Sequence, residues 1–173
     1  MSSSDDGADA PGQGVPRPGR ASARACLGQG CFGSVFRVSF EGKDCALKVG
    51  NTKDEAESLE MDRAILEKLG DAGGAPIPLA YCPEMPAFLM TSCGRQDLLG
   101  LIVSKQRPSD RDILNAALKV TEALQEIHDA GFLHCDLKAD NVVVETARKG
   151  QVTKVHVVDF GLTQPVGGSH PLG

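Results

Sequence analysis

Two short segments in the first third of the chain combine residue types that can hold phosphate. Gly28, Gly30 and Gly33 form a glycine-rich segment, and glycines at this spacing let backbone amides close over phosphate oxygens without Cβ clashes. On its own the signal is weak, because a glycine-rich turn is often only a turn. A strand pattern follows these glycines in place of a helix, which disfavours a dinucleotide-binding fold.

The second segment contains a lysine in a β-branched stretch. Alternation along residues 45–49 places Ala46 and Lys48 on the same face of a strand. A lysine there could pair with phosphate oxygens, while the small Ala46 leaves room for a flat base. The alternative is an ordinary solvated lysine, and this segment alone does not decide between the two.

A third segment makes the combination specific. It runs from His134 through Asp136, Lys138 and Asn141, and Asp159-Phe160-Gly161 follows it. With the glycine-rich segment and Lys48, it resembles the signature set of the protein kinase family, which consists of a Gly-rich loop, a strand lysine, H-R-D-L-x-x-x-N and D-F-G. All four occur in the right order, one with a substitution, and their joint occurrence by chance is very improbable.

The resemblance implies a role for each polar residue of the third segment. Asp136 corresponds to the catalytic base that orients the substrate hydroxyl, and Lys138 to the lysine that contacts the transferred phosphate in Ser/Thr-type kinases. Asn141 and Asp159 correspond to ligands of Mg²⁺, a cation that prefers carboxylate and amide oxygens. The expected activity is transfer of the ATP γ-phosphate, with Mg²⁺, to a Ser or Thr hydroxyl of a protein substrate.

The same resemblance implies a nucleotide pocket. Residues 88–94 correspond to the strand and hinge that hold adenine, with Met90 at the back of the pocket and Asp97 near the ribose hydroxyls. An ordinary strand leaving the core is the alternative for this stretch. The expected nucleotide-binding residues are Leu27, Gly28, Gln29, Gly30, Gly33, Val35, Ala46, Lys48, Met90, Thr91, Cys93 and Asp97.

Two substitutions depart from the family pattern. Cys135 replaces the arginine of H-R-D, and in the family that arginine reads activation-loop phosphate, so this mode of activation is in doubt.

The acidic partner of Lys48 is Asp62 instead of the usual Glu. An α-helix turns by about 100° per residue, and this rotation places Asp62 in the middle of a leucine stripe, whereas Glu60 faces outward. A buried acid is costly unless it is paired, so we expect Asp62 to contact Lys48 and to act with it in the catalytic apparatus.

The elements that must position these residues follow from periodicity and turn signals. The expected fold class is α+β and protein-kinase-like, with an antiparallel β-rich N-lobe, one αC-type helix and the first part of a helical C-lobe. Ser109 or Asp110 is expected to cap the second long helix. The predicted helices cover residues 52–69 and 109–130, and the predicted strands or extended segments cover 34–40, 44–49, 75–81, 87–91, 141–144 and 152–158.

The expected domain organisation is a disordered tail at 1–25, an N-lobe at 26–93, a partial C-lobe at 94–165 and a loop-like tail at 166–173. The sequence ends 12 residues after Gly161, before the activation segment and the further helices of the family. A second hypothesis is therefore a truncated, catalytically weak or inactive ATP-binding and regulatory module that binds a regulatory protein partner and competes for partners without catalysing.

Composition limits the remaining alternatives. The 173 residues carry 18 Lys and Arg against 23 Asp and Glu, a formal net charge of −5, which argues against binding nucleic acid through net charge. No apolar stretch approaches a membrane span and no secretory signal is evident. These features predict a soluble, intracellular protein of the cytoplasm or nucleus, with its six cysteines reduced. Nothing in the sequence indicates an oligomeric state.

Overall fold

A computed structural model of the chain describes residues 25–30, 33–50, 52, 55–82, 84–105, 108–147 and 151–168. The predicted disordered tail at 1–25 lies outside the described residues, apart from Ala25. Of the predicted tail at 166–173, residues 169–173 also lie outside them.

Five antiparallel strands form the main sheet, in the order β1-β2-β3-β5-β4. The strands β2 and β3 are joined by Glu41 and Gly42, both of which have positive φ (50° and 75°). Positive φ at both central residues matches the right-handed twist of the flanking strands, and it explains why the predicted hairpin forms here. The bounds are β1 Ala25–Gly30, β2 Gly33–Phe40, β3 Lys43–Val49, β4 Pro78–Cys82 and β5 Ala87–Thr91.

Helix α1 (Ala56–Leu69) packs on this sheet through the predicted stripe. It starts four residues later than expected, at Ala56 instead of residue 52, and the side chain of Glu55 at the N-cap position makes no capping hydrogen bond. Gly70 ends the helix with a φ of 61° while its N–H donates to the carbonyl of Leu66. The buried face consists of Leu59, Asp62, Ile65, Leu66 and Leu69.

The second half contains two helices and two small sheets. Helix α2 (Leu98–Val103) was not predicted, whereas α3 (Asp110–Asp129) lies where the sequence predicts it. The Ser109 side chain caps α3 by accepting a hydrogen bond from the N–H of Asp112 at 3.2 Å. The remaining strands are β6 Phe132–Leu133, β7 Val142–Thr146, β8 Val152–Val157 and β9 Gln164–Pro165, in the antiparallel pairs β6–β9 and β7–β8.

One hydrophobic core runs through both halves, and this is the α+β arrangement expected from the sequence. Leu59 and Phe88 from the sheet side belong to the same buried cluster as Ile127, Val157 and Phe160 from the second half. The α1 helix and the α3 helix are therefore held in a fixed relation by shared apolar contacts.

The segment Ala72–Gly74, a short 3₁₀ turn after α1, brings the chain into direct contact with α3. The Gly73 N–H donates to the Glu126 carboxylate at 2.8 Å. Gly73 has a φ of 65°, and a Cβ atom there would lie 2.9 Å from the Ala123 carbonyl oxygen, so glycine is required by both conformation and space.

None of the helices in the described part of the chain is long and apolar enough to cross a bilayer. The five cysteines within the described residues are free thiols.

Replacement of Ile127 by Ala tests the shared core. Ile127 has no exposed surface, and we expect Ile127→Ala to lower the free energy of unfolding by about 2–5 kcal/mol. Leu118→Ala is the matched control, because Leu118 lies on the same helix with 58% of its surface exposed and should change stability by less than about 0.5 kcal/mol. Urea unfolding of both variants measures the difference, and equal losses would contradict the packing described.

Candidate active site

A cavity of about 430 Å³ opens between the five-stranded sheet and the second half of the chain. A volume of this size is typical of sites for small molecules and cofactors. The residues predicted from the sequence that line it are Leu27, Gly28, Gly33, Val35, Ala46, Lys48, Asp62, Met90, Thr91, Cys93, Asp97, Lys138, Asn141 and Asp159.

One end of the cavity is apolar and is built from one face of the sheet. Residues directly opposite each other in an antiparallel pair share a face, and the register pairs Val35 with Lys48 and Ala46 with Met90. Ala46 and Lys48 share a face because they are two residues apart. Val143 of β7 lines the same cavity from the second half. This end is a slot suited to a flat, mostly apolar group.

The other end contains a buried ion pair between Lys48 of β3 and Asp62 of α1. Their side chains are hydrogen-bonded, and only 7% of Lys48 and 3% of Asp62 are exposed. Burial raises the pKa of the Asp62 carboxyl, and the Lys48 ammonium opposes that rise. Glu60 is exposed, so the structure has the contact that the helical stripe predicts.

Asp159 extends this polar end of the cavity. Its Oδ1 lies 3.8 Å from Nζ of Lys48, and its backbone is left-handed, with a φ of 64°. Left-handed backbone is uncommon for a residue other than glycine and is often found at functional sites. The ammonium of Lys48 therefore lies between two carboxylates, one buried and one about half exposed.

Asn141 and Asp159 are placed at the two ends of one hairpin. Asn141 directly precedes β7 and Asp159 follows β8, and the Val158 N–H donates to the Asn141 carbonyl at 2.9 Å. The pairing of β7 with β8 thus brings an amide and a carboxylate, 18 residues apart in the sequence, to the same edge of the cavity.

Asp136 is held by two donors beside this hairpin. Its Oδ2 accepts hydrogen bonds from Nζ of Lys138 and from Nδ2 of Asn141, both at 3.0 Å. The hydrogen bond from Lys138 lowers the pKa of Asp136, and that from Asn141 acts in the same direction. Because Asn141 also uses Nδ2 to donate to the Asp136 carbonyl at 2.9 Å, its amide oxygen is the atom that remains to coordinate a cation.

His134 anchors the loop that carries Asp136. It is 3% exposed, and its Nε2 donates to the Val158 carbonyl at 3.0 Å. Its ring packs edge-on against Phe160, with 5.0 Å between the ring centroids. Cys135, in the position that differs from the family pattern, has a φ of 62°, so the chain reverses sharply just before Asp136.

The glycine-rich segment is described only in part. Gly28 and Gly33 line the cavity, and Gln29 and Gly30 lie in β1, but the side chain of Gln29 is outside the described residues. Gly33 has a φ of 126°, and a Cβ atom there would lie 2.4 Å from the Val49 carbonyl oxygen. Glycine is therefore required at this turn by both conformation and space.

Two residues at the rim have second roles that sequence reasoning missed. Asp97 caps helix α2, since its Oδ1 accepts a hydrogen bond from the Gly100 N–H at 2.6 Å, which leaves Oδ2 for a ligand. Cys93 lines this cavity and a second one behind it. Burial raises the pKa of the Cys93 thiol to about 11.

Several residues that line the cavity were not among those predicted from the sequence. Val143 lies two residues after Asn141, and strand alternation could have placed the two on one face. Strand alternation also places Phe88 on the face of Met90, and the helical stripe places Leu66 one turn after Asp62. Pro76, Val158 and Phe160 face the cavity through tertiary packing. The additional lining residues include Leu66, Pro76, Phe88, Val143, Val158 and Phe160.

The donor set fits a nucleoside triphosphate with a divalent cation. The slot is apolar, Lys48 supplies a positive charge near its inner end, and the carboxylate of Asp159 and the amide oxygen of Asn141 are hard oxygen donors of the kind that Mg²⁺ prefers. These residues would hold the cation, and the cation would neutralise charge on the phosphate oxygens.

Comparison with known proteins gives a family match over most of the chain. The family described as protein kinase domain matches residues 22–172. A probable serine/threonine-protein kinase of Dictyostelium discoideum is 27% identical over 164 residues, covering 84% of this chain and 30% of that protein. Human serine/threonine-protein kinase D3 is 29% identical over 150 residues, covering 82% and 16%. The kinase ppk11 of Schizosaccharomyces pombe is 33% identical over 146 residues, covering 79% and 44%.

The chain thus spans less than half the length of each of these relatives.

A double-mutant comparison tests whether Lys48 and Asp62 depend on each other. We expect Asp62→Ala to lower the free energy of unfolding by about 3–5 kcal/mol, because it leaves the Lys48 ammonium buried without its main partner. The double variant Lys48→Met/Asp62→Leu replaces both charges and removes that penalty. We expect it to lower the free energy of unfolding by clearly less than Asp62→Ala does. Urea unfolding of the two variants measures this, and a double variant that is less stable than Asp62→Ala would show that the pair is not coupled as described.

Proposed function

The chain belongs to the protein kinase family, and on this premise we propose that it binds ATP with Mg²⁺ and transfers the γ-phosphate to a Ser or Thr hydroxyl of a protein. The observation that carries the proposal is that Lys48, Asn141 and Asp159 line one end of a single cavity. Asp136 is not in the cavity lining but lies directly beside it, where its carboxylate accepts a hydrogen bond from Asn141. Phosphoryl transfer depends mainly on positioning and charge neutralisation, and these four side chains supply both.

The apolar slot accounts for binding of the base. Val35 and Ala46 cover it from the sheet and Val143 from the second half, while Met90 closes the back. Apolar contact on both faces of a planar ring favours binding without requiring a charge. Oδ2 of Asp97, which has no hydrogen bond to the described residues, suits a hydroxyl donor such as the ribose.

Lys48 is assigned to the phosphates. Its ammonium is fixed by Asp62 and faces the cavity near Asp159. An ammonium already held in place loses little conformational freedom when an anion binds, so its charge is preorganised for the phosphate oxygens.

Asp136 is assigned to the substrate hydroxyl. Since its pKa is lowered, it is a carboxylate at neutral pH and a weak base. Its main contribution is then to accept a hydrogen bond from the hydroxyl and to orient the oxygen for in-line attack. Its bond to Lys138 raises the pKa of that lysine, so Lys138 stays positively charged and can contact the transferred phosphate.

Phosphotransfer from ATP to a generic protein substrate tests the proposal. We expect Lys48→Met and Asp136→Asn each to lower the Mg²⁺-dependent rate by at least about 100-fold, since each removes a group that stabilises or orients the reacting atoms. Glu60→Gln changes an exposed carboxylate on the outer face of α1 and should leave the rate unchanged. Activity that survives Asp136→Asn would refute the assignment of Asp136.

Nucleotide binding is tested separately by thermal unfolding with ATP and MgCl₂. Ligand at 100 times its Kd should stabilise the protein by about 2.7 kcal/mol. ATP alone and ATP with Mg²⁺ should each raise the melting temperature. Asp159→Asn should keep the increase caused by ATP alone and abolish the further increase that requires Mg²⁺. A full Mg²⁺-dependent shift in this variant would exclude Asp159 as a cation ligand. Binding without phosphotransfer by the unmodified chain would favour the second hypothesis, a catalytically inactive regulatory module.

A further inference from the structure

A buried histidine joins the two halves of the molecule outside the candidate active site. His156 of β8 is 9% exposed. Its Nδ1 lies 2.8 Å from the Gly74 carbonyl oxygen, and its Nε2 lies 2.8 Å from Oε1 of Glu145 in β7. The ring thus bridges the turn that follows α1 and the β7–β8 hairpin.

The two partners determine which protons the ring carries. A carbonyl oxygen only accepts hydrogen bonds, so Nδ1 of His156 must donate to Gly74. The hydrogen bond with His156 lowers the pKa of the Glu145 carboxyl, so Glu145 is a carboxylate, which also only accepts. For both contacts to be hydrogen bonds, both ring nitrogens must donate, and only the protonated ring has two N–H groups.

The backbone around Gly74 is too close to β8 for any other residue. Gly74 has a φ of 66°, and a Cβ atom there would lie 2.7 Å from the Val155 carbonyl oxygen and 3.0 Å from Nδ1 of His156. The turn Ala72–Gly74 begins three residues after the end of α1. Movement of this turn away from β8 would therefore move the end of the helix that carries Asp62.

We propose that His156 is a positioning residue: as a two-proton bridge between the Gly74 carbonyl and the Glu145 carboxylate, it fixes the end of α1 against the strand that leads to Asp159. The roles of Asp62 and Asp159 in binding ATP and Mg²⁺ rest on the proposed function. The bridge itself does not, and it is tested without any measurement of activity.

The bridge weakens as the pH rises. When the ring loses a proton, one nitrogen presents a lone pair to an oxygen that can only accept, so one of the two hydrogen bonds is lost. Other charged or ionisable groups line the cavity of about 480 Å³ that His156 borders, but among the described residues only Gly74 and Glu145 are hydrogen-bonded to the ring. These other groups are Asp71, Lys119, Glu122, Glu126, Lys154 and the Cys93 thiol.

Glu145→Gln distinguishes this bridge from ordinary packing. A glutamine amide can donate to the unprotonated Nε2 while Nδ1 still donates to Gly74, so the neutral ring satisfies both contacts in this variant. Glu122→Gln is the matched control, because it removes a carboxylate from the same cavity without touching His156.

The measurement is amide hydrogen exchange of residues 70–77 from about pH 6 to about pH 9, corrected for intrinsic exchange rates. In the unmodified chain and in Glu122→Gln, exchange should speed up by about fivefold over this range, which is the effect of one lost hydrogen bond. In Glu145→Gln it should change by less than about twofold. The same pH dependence in Glu145→Gln and in the unmodified chain would overturn the proposal.

A second measurement follows the His156 ring itself by NMR. The ring nitrogens should both carry protons in the unmodified chain and only Nδ1 should carry one in Glu145→Gln, with His156→Gln used to assign the signals. A ring with a single N–H in the unmodified chain would also overturn the proposal. If the exchange and NMR results are as expected but phosphotransfer is absent, the results support the positioning role of His156 and contradict the proposed function.

Discussion

The ion pair between Lys48 and Asp62 is the constraint on which the rest of the structure depends. Two charges that are almost completely removed from water are tolerated only when they meet. Asp62 has a side chain one methylene shorter than glutamate, so α1 must lie close to β3 for the contact to form. The apolar stripe around Asp62 fixes the rotation of the helix, and the pair fixes its distance from the sheet. Packing and electrostatics thus select the same position of α1.

The candidate site is assembled by backbone geometry at points far apart in the sequence. The β7–β8 hairpin places Asn141 and Asp159 at one edge of the cavity. The left-handed backbone at Cys135 and Asp159 turns the chain sharply at both loops, and His134 ties the first loop to the second through the Val158 carbonyl. These contacts join groups of the chain itself, so they hold the side chains at the polar end of the cavity in fixed relative positions.

Much of this arrangement could be predicted from the sequence where local signals were strong. The α3 helix was placed correctly because its apolar period is long and Ser109 caps it, and the inward direction of Asp62 follows from helical period alone. The predicted start of α1 at residue 52 is wrong, and Glu55 at the actual N-cap position makes no capping hydrogen bond that would mark the boundary. Helix α2 has only six residues, too few for a period to be detected. The two-residue strands β6 and β9 exist only through pairing with each other, which local sequence does not encode.

The position of Cys93 has a consequence for chemical probes of this protein. Cysteine reacts with electrophiles as the thiolate, and because burial raises the pKa of Cys93 to about 11, the thiolate is a very minor form at neutral pH. The thiol therefore contributes shape and a small polarisable surface to two neighbouring cavities, with little nucleophilic reactivity. A covalent ligand aimed at Cys93 would have to lower this pKa itself, for example by placing a cation beside the sulfur.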